Sequence, residues 1–188
     1  MNSGTRPARW SGLVIALHWA GAAIILALIA IGWSMVYGGL DAASTFDLFQ
    51  LHKSLGFTVL ALTLARFAAR SASSSPPAPI SAQWERRLAA AAQVSLYVLT
   101  VCAIVTGWLV ASTSPLPVPT RFFGLFVIPN VAQPDPSVFA AAVLAHKLTA
   151  WGTAFLIALH AAGALKHHIV NRDDVLSRML PIWRPVRR

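Results

Sequence analysis

The sequence predicts an all-α integral membrane protein, a bundle of four transmembrane helices, and three observations predict it. First, 56% of the residues are hydrophobic, 11% are charged and mean hydropathy is +0.63, whereas a soluble domain carries about 25% charged residues. Second, four apolar segments reach the roughly 20 residues that a helix needs to cross a bilayer. Third, the basic residues fall almost entirely on one side of the topology that four spans create.

The first segment, Ser11 to Tyr37, has no charge between Arg9 and Asp41. Its basic start resembles a signal peptide, yet its apolar stretch exceeds the usual roughly 7–15 residues and contains His18, so it reads as a retained helix. The second, Phe46 to Ala68, carries His52 and Lys53 near one end, where a long side chain can snorkel to the interface. The third, Leu88 to Ser112, has no charge between Arg87 and Arg121, and its Cys102, the single cysteine, excludes an internal disulfide. The fourth, Ser137 to Leu165, carries His146, Lys147 and His160. Between them, Ser71 to Pro79 is a Ser/Pro linker, and Pro115 to Pro136 is a proline-rich loop with room for a short element around Phe122 to Ile128. No internal repeat is evident, and residues 1–188 read as one domain.

With four spans both termini share a side. Arg6, Arg9, Arg66, Arg70, Arg86, Arg87, Lys166, Arg172, Arg178, Arg184, Arg187 and Arg188 fall there, and only Lys53, Arg121 and Lys147 fall on the other. The positive-inside rule makes the first side cytoplasmic. The net charge of +9 is therefore a matter of topology and does not indicate a nucleic-acid partner. Trp10, Trp19, Trp33, Trp84, Trp108 and Trp183 lie at or near span ends as an interfacial belt, while Trp151 is deeper.

Four of the six histidines lie inside apolar segments, where an unpaired polar ring is costly. His146 and His160 are fourteen residues apart on one segment, almost four helical turns and about 21 Å of rise. They face the same way near opposite membrane surfaces. His18 lies toward the cytoplasmic side of its helix and His52 toward the outer side of its own, so the level-matched pairs are His18 with His160 and His52 with His146. Zinc and copper sites normally use three or four protein ligands, and no Cys, Asp or Glu lies at either level. Haem iron needs two axial ligands. Gly21, Gly56 and Gly163, one turn beyond His18, His52 and His160, would let a flat macrocycle lean on the helices, though small residues serve helix packing equally well.

The segments "ALHW", "LHKSLGFTVLALTLARFAAR", "FFGLFVIP" and "AHKLTAWGTAFLIALHAAGALKHH" resemble the bacterial cytochrome b561 family, from about Trp10 to Pro181. The resemblance implies four helices holding two b-type haems through His18, His52, His146 and His160, with the third helix contributing packing. It implies electron transfer involving ubiquinone in the bacterial inner membrane. One type of member oxidises periplasmic superoxide and reduces ubiquinone; others are carrier subunits linking the quinone pool to a dehydrogenase or a periplasmic redox protein. Lys53, Lys147 and Arg121 could steer superoxide toward the outer haem, or the lysines could pair with haem propionates or lipid phosphates. Lys166, His167, His168, Arg66 and Trp19, with Arg70 nearby, are candidates for a quinone pocket, histidine being a natural proton donor near neutral pH; His167 and His168 would serve equally as ordinary interfacial residues. Asp173 and Asp174 are expected to cap a short helix through Val175 to Leu180. A third function class is a non-redox membrane protein whose histidines bind zinc or line a pore. No acid/base pair, activated nucleophile or nucleotide fingerprint is present in the sequence.

Overall fold

The computed structural model describes residues 9–73, 82–116 and 118–181. Arg6, Trp183, Arg184, Arg187, Arg188 and most of the Ser/Pro linker lie outside the described residues. Four long helices dominate: α1 (Gly12–Tyr37), α2 (Ala42–Ser71), α3 (Gln83–Thr113) and α4 (Pro136–Ile169). All four are long and apolar enough to cross a membrane.

Each start has a local cause. Ser11 accepts from Val14 N at the head of α1. Asp41 accepts from the amides of Ala43 and Ser44 to open α2, and Asp135, followed by Pro136, accepts from Ser137 N and Val138 N to open α4. Hydrogen bonds that favour the charged form, led by the Ser44 and Ser137 hydroxyls, hold both carboxyls below their ordinary range. The 34 residues of α4 rise about 51 Å, well beyond a hydrocarbon core of about 30 Å. Its last turn, with Lys166, His167 and His168, therefore projects past the hydrocarbon core. Likewise α3 begins at Gln83, five residues before its apolar run, because an interfacial turn bearing Glu85 can remain helical.

Apolar side chains point outward along the whole bundle, including Leu26, Leu64, Val105 and Phe155. This is the surface expected of a protein whose solvent is lipid. Buried positions are instead rich in hydroxyls: Ser54, Thr100, Ser112, Thr113, Thr120, Thr153 and Ser177. The closely packed helix pairs are α1 with α2 and α3 with α4, with lighter contact between α2 and α3. Helix α4 makes no comparable backbone contact with α1 or α2, so a gap separates it from them.

The loop between α3 and α4 is an ordered cover. Strands β1 (Thr120–Phe122) and β2 (Phe126–Ile128) form an antiparallel hairpin, pairing Thr120 with Ile128 and Phe122 with Phe126. Its turn places Phe123 and Gly124 at φ of 47° and 77°, a left-handed region that glycine adopts freely and phenylalanine does not. Helix α2 grips this hairpin. Ser54 Oγ lies 3.1 Å from the Arg121 carbonyl and accepts from Phe123 N at 3.0 Å, and Gln50 bonds Pro119 O and Arg121 N. From the other side, Ser112 accepts from Val131 N and Trp108 donates to Pro129 O. In the Ser54→Ala variant the Phe123 amide loses its buried acceptor, at a cost of about 1–3 kcal/mol. Amide hydrogens of residues 120–128 are expected to exchange faster while the helices keep their protection; unaltered exchange in the hairpin would show that Ser54 does not hold it.

After α4 the chain turns back toward α1. A short 3-10 helix spans only Ser177–Met179, where the sequence suggests a helix through Val175 to Leu180. Neither Asp173 nor Asp174 caps it, since its N-cap is Leu176 with no side-chain bond: Asp173 accepts from Val175 N in the preceding turn and from His167, and Asp174 offers only its backbone carbonyl to Ser177. The segment is fixed to the first helix by Trp19, which donates to Met179 O at 2.6 Å, and by Arg9, which donates to Leu180 O and Pro181 O.

Candidate functional site

Across the gap between α4 and the α1–α2 pair, four imidazoles face each other two by two. The rings of His18 and His160 have centroids 6.4 Å apart with planes at 76°; those of His52 and His146 are 6.2 Å apart at 83°. An imidazole nitrogen binds its metal at about 2 Å, and each ring centre lies about 1 Å further back, so two imidazoles on opposite sides of one metal have centres about 6 Å apart. Both pairs meet that distance. They are also the pairs expected from level matching.

The surroundings fit a planar group held by two ligands. A Cβ added at Gly21, Gly56 or Gly163 would meet nothing within 4 Å, so each glycine borders open space on the helix that bears its histidine. Among the described residues no group of three or more His, Cys, Asp or Glu side chains could hold a bare metal ion. The donor set is therefore unlike a zinc or copper site and like that of a b-type haem.

Helix α3 has a larger part in the outer pair than its lack of histidine suggests. The Nδ1 of His146 lies 2.9 Å from the Ala103 carbonyl, which can only accept, so the ring donates there and keeps Nε2 for a metal. One turn on, Gly107 leaves space for the same ring: a Cβ there would lie 3.0 Å from His146 Cε1 and 3.2 Å from Nδ1. Gly107 is the one glycine of α3. Sequence reasoning passed over it, although a lone glycine on the outer half of a helix was a usable signal. The Ala103 carbonyl gave none. On the opposite side, Gly32 of α1 faces His52, whose Cε1 would stand 3.6 Å from an added Cβ.

The proposed anion-steering residues are brought only partly together. Lys53, half-buried, reaches to 3.5 Å from Pro119 O, at the base of the hairpin that carries the exposed Arg121. Lys147 is exposed on α4. Trp151 meets Trp33 of α1 edge to face at 5.9 Å.

At the end of the bundle where α4 finishes, several candidates have protein partners. Lys166 pairs with Glu85 of α3 at 2.5 Å, and His167 with Asp173 at 2.6 Å. Trp19 stands beside His18, its ring 5.2 Å away, with its N–H bound to Met179 O. His168 is exposed. Arg70 lies over the Trp10 ring at 4.7 Å, and Arg66 over the Tyr97 ring at 5.6 Å.

The sequence is similar to those of known proteins. The sequence model of the prokaryotic cytochrome b561 family matches residues 9–181. Cytochrome b561 homolog 2 of Escherichia coli (strain K12) is 31% identical over 186 residues, covering 96% of this chain and 95% of that protein. Cytochrome b561 homolog 1 of the same organism is 30% identical over 178 residues, with 92% and 97% covered. The probable superoxide oxidase CybB of Yersinia pestis is 28% identical over 176 residues, with 92% and 96% covered.

Proposed function

The chain belongs to the prokaryotic cytochrome b561 family of electron-transfer membrane cytochromes, and from that premise we propose that it is a dihaem superoxide:ubiquinone oxidoreductase. The observation that carries the dihaem reading is the pair of facing imidazole couples, one at each end of the same gap. His18 and His160 would hold one b-type haem and His52 and His146 the other. The haems supply one-electron chemistry; the protein supplies the ligands, their spacing and the exclusion of water. In the balanced reaction two superoxide anions each give up one electron and leave as dioxygen, and ubiquinone takes two electrons and two protons to become ubiquinol.

Residues on this chain divide the work by side. Lys53, Arg121 and Lys147 are the basic residues of the outer end, where they attract a small anion and raise its encounter rate. The name of the Yersinia pestis relative supports the same donor. At the inner end the His167–Asp173 pair sets a proton-bearing imidazole beside the last turn of α4, which supports quinone reduction there. The distribution of Lys and Arg supports an inner-membrane protein with both termini in the cytoplasm. The exposed apolar tip of the hairpin, Leu125, Phe126 and Val127, favours a second reading, a carrier subunit that receives electrons from a periplasmic redox protein docked on that tip.

Stopped-flow absorbance of the oxidised protein mixed with superoxide, with and without ubiquinone, separates the two. Rapid haem reduction followed by quinone-dependent reoxidation is expected, and neutral replacements of Lys53 and Lys147 should slow the reduction at low salt and flatten its salt dependence. A dihaem protein that superoxide does not reduce would assign the chain to the carrier class. A rate that the lysine replacements leave unchanged at low salt would remove the steering role.

A further inference from the structure

Arg66 is a cation inside a membrane-spanning helix without an ion-pair partner among the described residues. Its Nε is buried and has no hydrogen-bond partner among the described residues, and the same is true of the Tyr97 hydroxyl beside it. Carboxylates of that end are taken up elsewhere, Glu85 by Lys166 and Asp173 by His167. A half-buried guanidinium whose Nε is buried and unpartnered calls for a negative partner.

Its position indicates where that partner lies. Arg66 follows His52 by fourteen residues, the interval that separates His146 from His160. On α2, as on α4, that interval repeats one helix face about 21 Å further along the axis. Helix α2 thus presents an imidazole to the gap at the outer level and a guanidinium at the inner level. That inner level is the one at which His18 and His160 face each other. A planar fork of N–H donors matches a carboxylate or a phosphate. A haem brings carboxylates as its propionates, and a lipid headgroup brings a phosphate.

We propose that Arg66 of α2, stacked on Tyr97 of α3, is an anion-binding residue that takes a propionate of the haem held between His18 and His160. The proposal rests on the dihaem reading, and its failure is distinguishable from the failure of that reading, since a wild-type protein without haem would end both. Tyr97 contributes a ring for the guanidinium to lie on and a hydroxyl that can donate to the same carboxylate.

The test uses the purified full-length holoprotein as wild type, Arg66→Gln, Arg66→Lys and Tyr97→Phe. Redox-difference infrared spectra are recorded with haem carrying 13C-labelled propionates, alongside haem content, midpoint potentials and native mass spectrometry for bound phospholipid. In Arg66→Gln a labelled carboxylate band is expected to shift, and one of the two haem potentials to become more negative, because a nearby positive charge disfavours the ferric state. Arg66→Lys keeps the charge but not the fork and should shift the same band; it also serves as the readout where Arg66→Gln fails to retain its second haem. Tyr97→Phe should produce a smaller shift. Labelled bands that stay in place in both Arg66 variants would overturn the proposal, whether potentials move or not. Loss of a bound phospholipid with unmoved propionate bands would assign Arg66 to a lipid headgroup instead.

Discussion

Replacing His146 with alanine should yield a folded protein carrying one haem in place of two, with the lost centre being the outer one. His146 faces His52 at 6.2 Å between ring centres, so its removal leaves a single protein ligand at that level. The inner couple, His18 with His160, lies fourteen residues along α4 and shares none of its ligands with the outer one. The backbone of α4 is not threatened, because alanine is the best helix former and the side chain removed is only half-buried. Pyridine haemochromogen analysis gives the stoichiometry, and a redox titration should change from two components to one. His160→Ala is the mirror experiment and should remove the other component. If His146→Ala retained both haems, the outer ligand would have to be sought elsewhere in the chain.

Placing a side chain at Gly107 should weaken the same centre while both histidines stay in the sequence. The Cβ of alanine would stand 3.0 Å from His146 Cε1, tight enough that the ring must give by a few tenths of an ångström, and the ring's Nδ1 is held by the Ala103 carbonyl of the same helix at 2.9 Å. Either the ring swings away and loses that hydrogen bond, or α3 and α4 separate. Loss of an outer-shell partner typically costs about 10–100-fold in affinity for the metal group, and Gly107→Val should exceed Gly107→Ala. Two other glycines are controls. At Gly32 an added Cβ meets His52 Cε1 at 3.6 Å, an ordinary contact, and at Gly152 it meets the flexible end of Leu99 at 3.2 Å. Alanine at either should leave haem content near wild type. The measurement is the rate of haem loss to an apo-protein scavenger for each variant. Equal rates in Gly107→Ala and Gly32→Ala would mean that α3 does not position the outer imidazole.

Different kinds of information explain what the sequence reveals and what it conceals. The transmembrane segments are legible because lipid imposes one demand, continuous apolar length with internally satisfied backbone, and that demand is written in composition. The histidine couples are legible because two residues fourteen apart on one helix must share a face, whatever surrounds them. By the same rule Arg66 could have been placed on the face of His52, but a lone arginine near a span end looks like any snorkelling cation until its buried Nε is seen without a hydrogen-bond partner among the described residues. From the sequence, Lys166 and His167 are candidates for a quinone pocket. Their partners Glu85 and Asp173 are respectively on another helix and beyond a turn, and only the packing brings them within 2.5 and 2.6 Å.

By itself, then, the sequence determined that this chain spans a membrane four times and carries two level-matched histidine couples, because hydropathy and helical periodicity are properties of residues in order. The tertiary structure alone decided which neighbours steady those histidines: a backbone carbonyl at Ala103, the missing side chain of Gly107, the hairpin gripped by Ser54. The physical reason is that a carbonyl has no residue identity and a clearance has no atoms. Contacts of that kind exist only once helices have been set side by side.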